Sequence, residues 1–164
     1  MSVTGVPDGL PGTEDGQVVD LLIRAYWMEI ETVMNYLAAS ISQDGARAVA
    51  VRAALTRGVE EEVEHTRALG RRIQELHGVV PVERGFSGDG EHPPGSERPT
   101  DPRAVIESVV ATETSAIRHY SRIMRATEGL DPDTNALALD ILRDEQRHLR
   151  LFEGYLREYR PETR

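Results

Sequence analysis

Residues 59–70 read VEEEVEHTRALG, with four glutamates and a histidine crowded into positions 60–65. An α-helix turns about 100° per residue, so side chains three and four apart share a face. Leu55, Val59, Thr66, Leu69, Ile73 and Leu76 follow that spacing, and Glu62 falls in the middle of the stripe. His65 lies three residues on, over the same face. Glu60 and Glu64 stand about 200° round from Glu62 and are expected to meet water. Glu61 is read with them as part of a solvated face. One carboxylate and one imidazole therefore point inward from a helix over 46–77.

Residues 144–155, DEQRHLRLFEGY, repeat the device: Glu145 and His148 interrupt a stripe made of Ala138, Ile141, Leu151, Phe152, Tyr155 and Tyr159. Two further helices each carry one interruption. Over 16–42, Glu29 sits among Leu22, Tyr26, Val33 and Tyr36; after Asp101, Glu113 sits among Ile106, Val109, Ile117, Tyr120 and Ile123. The third and fourth helices both open on Asp-Pro, at 101–102 and 131–132, an N-cap followed by the residue best suited to the first helical position. Gly129 closes the third. Glu29 is followed by Tyr36 after seven residues and Glu62 after 33; Glu113 is followed by Tyr120 after seven and Glu145 after 32. Each glutamate lies 16 or 17 residues, about 25 Å of helix, from the turn of its hairpin. All six donors should share one layer at mid-height.

Short connections at 42–45 and 128–131 flank a long one, 78–100, rich in Pro, Gly and Ser. A linker of that length inside a compact domain has somewhere to travel. Running it along the bundle makes the second and third helices parallel. The expected fold is all-α: an antiparallel four-helix bundle of two hairpins with one long crossover between helices 2 and 3, over 16–160, behind a flexible tail over 1–15. The chain of 164 residues needs no second domain. A net charge of -9 argues against nucleic acid or an anionic membrane as partner and favours cations. The absence of cysteine excludes disulfides, thiolate metal sites and cysteine nucleophiles. With no signal-like or membrane-length apolar run, a soluble cytoplasmic protein is expected.

Four ionised carboxylates in an apolar layer cost several kcal/mol each unless compensated, and no arginine falls inward at those heights. Two divalent metal ions balance four carboxylates, with His65 and His148 bound as neutral imidazoles. Oxygen and imidazole donors without thiolate suit iron, manganese or zinc. Six side chains shared between two ions leave coordination positions open, as a reactive centre requires.

At these residues the chain resembles the ferritin-like di-iron carboxylate superfamily, bacterioferritin and the rubrerythrins most closely. EIETVMNYLAAS, EVEHTRALGRRIQELHG and DILRDEQRHLRLFE look like its first, second and fourth helix motifs. The resemblance implies that Glu29 and Glu113 are terminal ligands, that Glu62 and Glu145 bridge, and that His65 and His148 bind one metal each. Tyr36 and Tyr120 become hydrogen-bond partners of the ligands. It implies two Fe(II) ions oxidised by O2 or H2O2, a ferroxidase or peroxidase-type activity. The alternatives are a dimanganese, catalase-like disproportionation of peroxide and non-catalytic iron binding or storage. Val63 stands where bacterioferritin has its haem-ligating Met, so no haem is expected; Ala116 replaces the extra glutamate of rubrerythrins. Five residues after Tyr159, Pro161 among them, leave no fifth helix, so a homo-oligomer smaller than a 24-subunit shell, a dimer, is expected. His119 is expected to be solvated, His77 and His92 to be surface groups, and Trp27, Met28 and Met34 to serve packing.

Overall fold

The computed structural model describes residues 14–82 and 95–159. Four long helices form: α1 Glu14–Ser42, α2 Val49–Glu75, α3 Pro102–Thr127 and α4 Pro132–Glu158, with one 3-10 turn, Ala46–Ala48, leading into α2. The chain is thus the expected four-helix bundle. α1 starts two residues earlier than anticipated, and the rest of the N-terminal tail lies outside the described residues. No helix among the described residues is long and apolar enough to cross a membrane.

Local chemistry sets the helix ends. The Asp101 carboxylate accepts from the backbone N–H groups of Arg103 and Ala104, and Asp131 accepts from that of Thr134. Asp131 also holds Arg72 of α2 at 2.9 Å, and Arg72 donates to the Thr134 hydroxyl at 2.8 Å, so one cap ties two helices. Gly129, at φ 72°, turns the chain between α3 and α4.

α1 packs along α2 and α3 along α4; the two hairpins meet through α1 on α3 and α2 on α4. The crossover climbs beside α1. A Cβ on Gly78 would strike Val19, one on Gly95 would strike Asn35, and Gln43 Nε2 donates to the Pro99 carbonyl at 2.5 Å. Contacts at 19, 35 and 43 advance along α1 as the linker advances, so α2 and α3 run parallel; residues 83–94 lie outside the described set.

Apolar packing divides into two clusters. One gathers Leu22, Met28, Leu69, Ile73, Ile123 and Ile141; the other Val51, Leu55, Ile106, Val109 and Phe152. The polar layer lies between them. Two residues depart from expectation. Leu151 remains 38% exposed, on the wall of a cleft between α2 and α4, and Met34 on α1 is 51% exposed.

Candidate metal centre

Glu29, Glu62, Glu113 and Glu145 are between 0% and 2% exposed, and His65 and His148 are buried beside them. The six expected donors do meet, in two overlapping groups. Glu29, Glu62, His65 and Glu145 bring one ligand atom each within 4.8 Å of one another, and so do Glu62, Glu113, Glu145 and His148. Glu62 and Glu145 belong to both groups. Their individual oxygens are divided between the two. Glu62 Oε2 lies 3.0 Å from His65 Nδ1 while its Oε1 lies 3.3 Å from His148 Nδ1. Glu145 Oε1 lies 3.2 Å from His65 Nδ1 and its Oε2 3.6 Å from His148 Nδ1. Glu29 and Glu113 each approach one imidazole, at 4.0 and 3.6 Å.

The outer nitrogens of both rings are anchored. His65 Nε2 meets Asp144 Oδ2 at 3.2 Å, and His148 Nε2 meets Glu61 Oε2 at 2.5 Å. A ring whose Nε2–H donates to a carboxylate presents its Nδ1 lone pair inward, the tautomer a metal needs. Arg147 links these anchors, donating to Asp144 at 2.5 Å and to Glu61 at 2.8 Å. Glu61 is thus more than a solvated acid, contrary to expectation, whereas Glu60 and Glu64 are exposed. Reading the sequence for stripes alone missed Glu61 and Asp144. Their signal was present: an acid immediately precedes the Glu of each Glu-x-x-His.

The tyrosines cross between halves. Tyr36 donates its hydroxyl to Glu113 Oε1, and Tyr120 donates to Glu29 Oε1. Burial, with the adjacent carboxylate charge, pushes both phenols well above their ordinary range, so they stay protonated donors. His119 is buried instead of solvated: its Nε2–H donates to the Leu21 carbonyl at 2.9 Å, giving an imidazole on α3 a partner on α1, away from the six donors. His77 is exposed, and His92 lies outside the described residues.

Without metal, protons neutralise the layer. Burial, and then repulsion from Glu62 and Glu145, raises Glu29 well above the carboxylate range; burial and Glu145 do the same to Glu113. Burial opposes charge on the histidines too, but hydrogen bonds to Glu145 and Glu62 outweigh it and lift His65 to about 10. His148 is raised by Glu113, Glu145 and Glu62. For Glu62, burial is overcome by hydrogen bonds from His148 and His65, which hold it well below the usual range. Besides Gln43 Oε1, away from this layer, three buried polar atoms among the described residues have no hydrogen bond of good geometry: Glu62 Oε1, Glu145 Oε1 and His148 Nδ1. Glu62 Oε1 and His148 Nδ1 face each other, and Glu145 Oε1 faces His65, so both groups hold such an atom. A buried polar atom without a partner costs about 1–3 kcal/mol, which a bound cation would remove. The donor set fits two divalent ions.

The ferritin-like domain model matches residues 19–160. The DNA protection during starvation protein of Pyrococcus furiosus is 29% identical over 147 residues, covering 88% of this chain and 80% of that protein. Among solved structures, the fold matches a dodecameric thioferritin, the bacterioferritin-related protein of Bacteroides fragilis, with TM-score 0.78 at 24% identity over 88% of this chain and 86% of that one. It matches Desulfovibrio desulfuricans bacterioferritin with TM-score 0.74 at 22% identity, over 87% and 80% of the two chains. A dodecameric relative lends no support to the expected preference for a dimer.

Proposed function

We propose, from the premise that this chain belongs to the ferritin-like family, that it binds two Fe(II) ions in the bundle core and oxidises them with dioxygen or hydrogen peroxide. One observation carries the reading: Glu62 and Glu145 each direct one oxygen toward each imidazole Nδ1, the disposition of two bridging carboxylates. Glu29 and His65 complete one position, Glu113 and His148 the other. Iron suits this oxygen and imidazole set, and manganese suits the same donors. In the reaction each of two ferrous ions gives up one electron. The pair of electrons and two protons convert dioxygen to hydrogen peroxide, or hydrogen peroxide to two waters.

The chain's own groups prepare this. Tyr36 and Tyr120 hold Glu113 and Glu29 in position across the hairpins. Asp144 and Glu61 hold the histidines with Nδ1 inward, so little reorganisation is needed when the ions arrive. Protons resting on Glu29, Glu113, His65 and His148 leave as the ions enter. The chain is also proposed to assemble with copies of itself. Met34, Leu37 and Ile41 are exposed on α1 at spacings of three and four, and Trp27 and Ile41 lie seven residues either side of Met34. A stripe so spaced suits an antiparallel copy of itself across a two-fold axis.

Anaerobic loading with Fe(II) followed by air or peroxide should yield two oxidised irons per chain, with a near-ultraviolet charge-transfer absorption. A loaded sample whose spectrum does not change on exposure to either oxidant would overturn the oxidase reading.

A further inference from the structure

A cleft of about 320 Å³ opens between α2 and α4, beside Tyr36, and reaches in to Glu61 and His148. That volume is at the lower end for small-molecule sites. The cleft coincides with a break of the internal repeat. Positions of α2 correspond to positions of α4 83 residues later, as Glu62 does to Glu145 and His65 to His148. Gly58 then corresponds to Ile141, which is 3% exposed and fills the core of its own half. Gly58 has no side chain, and the Tyr36 ring takes that space, 2.9 Å from where a Cβ would be. The cleft lies beside that ring.

Charge breaks the repeat at the same place. Arg57 corresponds to Asp140 and Arg147 to Glu64, so the cleft carries two guanidinium groups where the other half carries two carboxylates. Arg147 is engaged by Glu61 and Asp144. Arg57 is exposed and has no hydrogen-bond or ion-pair partner among the described residues. Between them, Phe152 and the exposed Leu151 supply an apolar wall. The linings therefore combine one available cation with apolar surface.

We propose that this cleft binds a small monocarboxylate with an aliphatic or aromatic body, its carboxylate on Arg57 and its body against Leu151 and Phe152. Guanidinium matches a carboxylate through two parallel hydrogen bonds. Burying the body removes the Leu151 side chain from water. Glu61 at the inner end and the chain's net charge of -9 disfavour anions of higher charge. Seated there, the ligand lies between solvent and the His148 side of the six-donor layer.

Titration calorimetry of the full chain, metal-free and metal-loaded, tests this with hexanoate as probe and hexylamine and inorganic phosphate as comparisons. Hexanoate should bind once per chain, and the other two should not saturate at the same concentrations. Arg57→Glu should weaken hexanoate at least tenfold, Arg57→Lys only a few-fold, and Leu151→Glu about tenfold. Arg57 is in neither donor group, so Arg57→Glu should still take two metal ions; failure of the carboxylate site and failure of the metal centre therefore read separately. Absence of hexanoate binding, equal binding of phosphate or hexylamine, or an Arg57→Glu chain that binds as the parent does would each overturn the proposal.

Discussion

Glu62 and Glu29 are both buried carboxylates of the same layer, yet their substitution should have unequal effects. Glu62 stands in both donor groups and Glu29 in one. Native mass spectrometry of Glu29→Ala should find one ion retained per chain, and Glu62→Ala should retain neither. The pH dependence of stability has a definite sign. His65 is lifted to about 10 in the folded, metal-free chain, so its contribution is complete below its ordinary value of about 6.5 and is lost as pH rises through about 10. Glu29 and Glu113, also raised, act in the same direction. Thermal unfolding of the metal-free chain should therefore show a midpoint that falls between about pH 6.5 and about pH 10. In the metal-loaded chain ions replace those protons, and the decline should be largely abolished. At this scale the inward direction of the six side chains was legible in the sequence, because a side chain's direction round a helix is a local property. It misplaced His119, since burial there depends on the Leu21 carbonyl of another helix. It passed over the pairing of Glu61 with His148, whose partners are 87 residues apart.

Among the elements, the Asp-Pro helix starts were the most legible, because cap chemistry is completed within a few residues. Asp131 does two things that no local reading separates. It caps α4, and it receives Arg72 from α2, so α4 begins at a fixed height against its neighbour. Asp131→Ala should cost about 1–2 kcal/mol, measured by chemical denaturation, with the cap loss supplying most of it. The stripe of α4 was read correctly at Ala138, Ile141 and Phe152 and incorrectly at Leu151. A helical wheel assigns each residue an angle but does not state what stands opposite. Leu151 lines a cleft shared with Tyr36 and Gly58, and what distant segments present there leaves no mark on the fourth helix's own pattern.

For the whole molecule, two apolar clusters grip a charged middle layer, and the hairpins are tied across it by Tyr36 with Glu113 and Tyr120 with Glu29. The outer face of α1 stays apolar, with Ile41 76% exposed. The double substitution Met34→Glu, Ile41→Glu should convert the assembly to smaller species in light scattering while leaving two ions per chain, because neither side chain joins the donor layer. Sequence alone determined four helices, their boundaries to within a few residues, the crossover, and the height and inward direction of six metal-type donors. These follow from periodicity and capping, which operate over one or two turns. Tertiary structure alone decided which tyrosine serves which glutamate, how the oxygens of Glu62 and Glu145 are shared, which acids anchor the imidazoles, and that a cleft opens between α2 and α4 beside Tyr36. Each depends on the rotation and height of one helix against another, and that is set by packing between segments far apart in the chain.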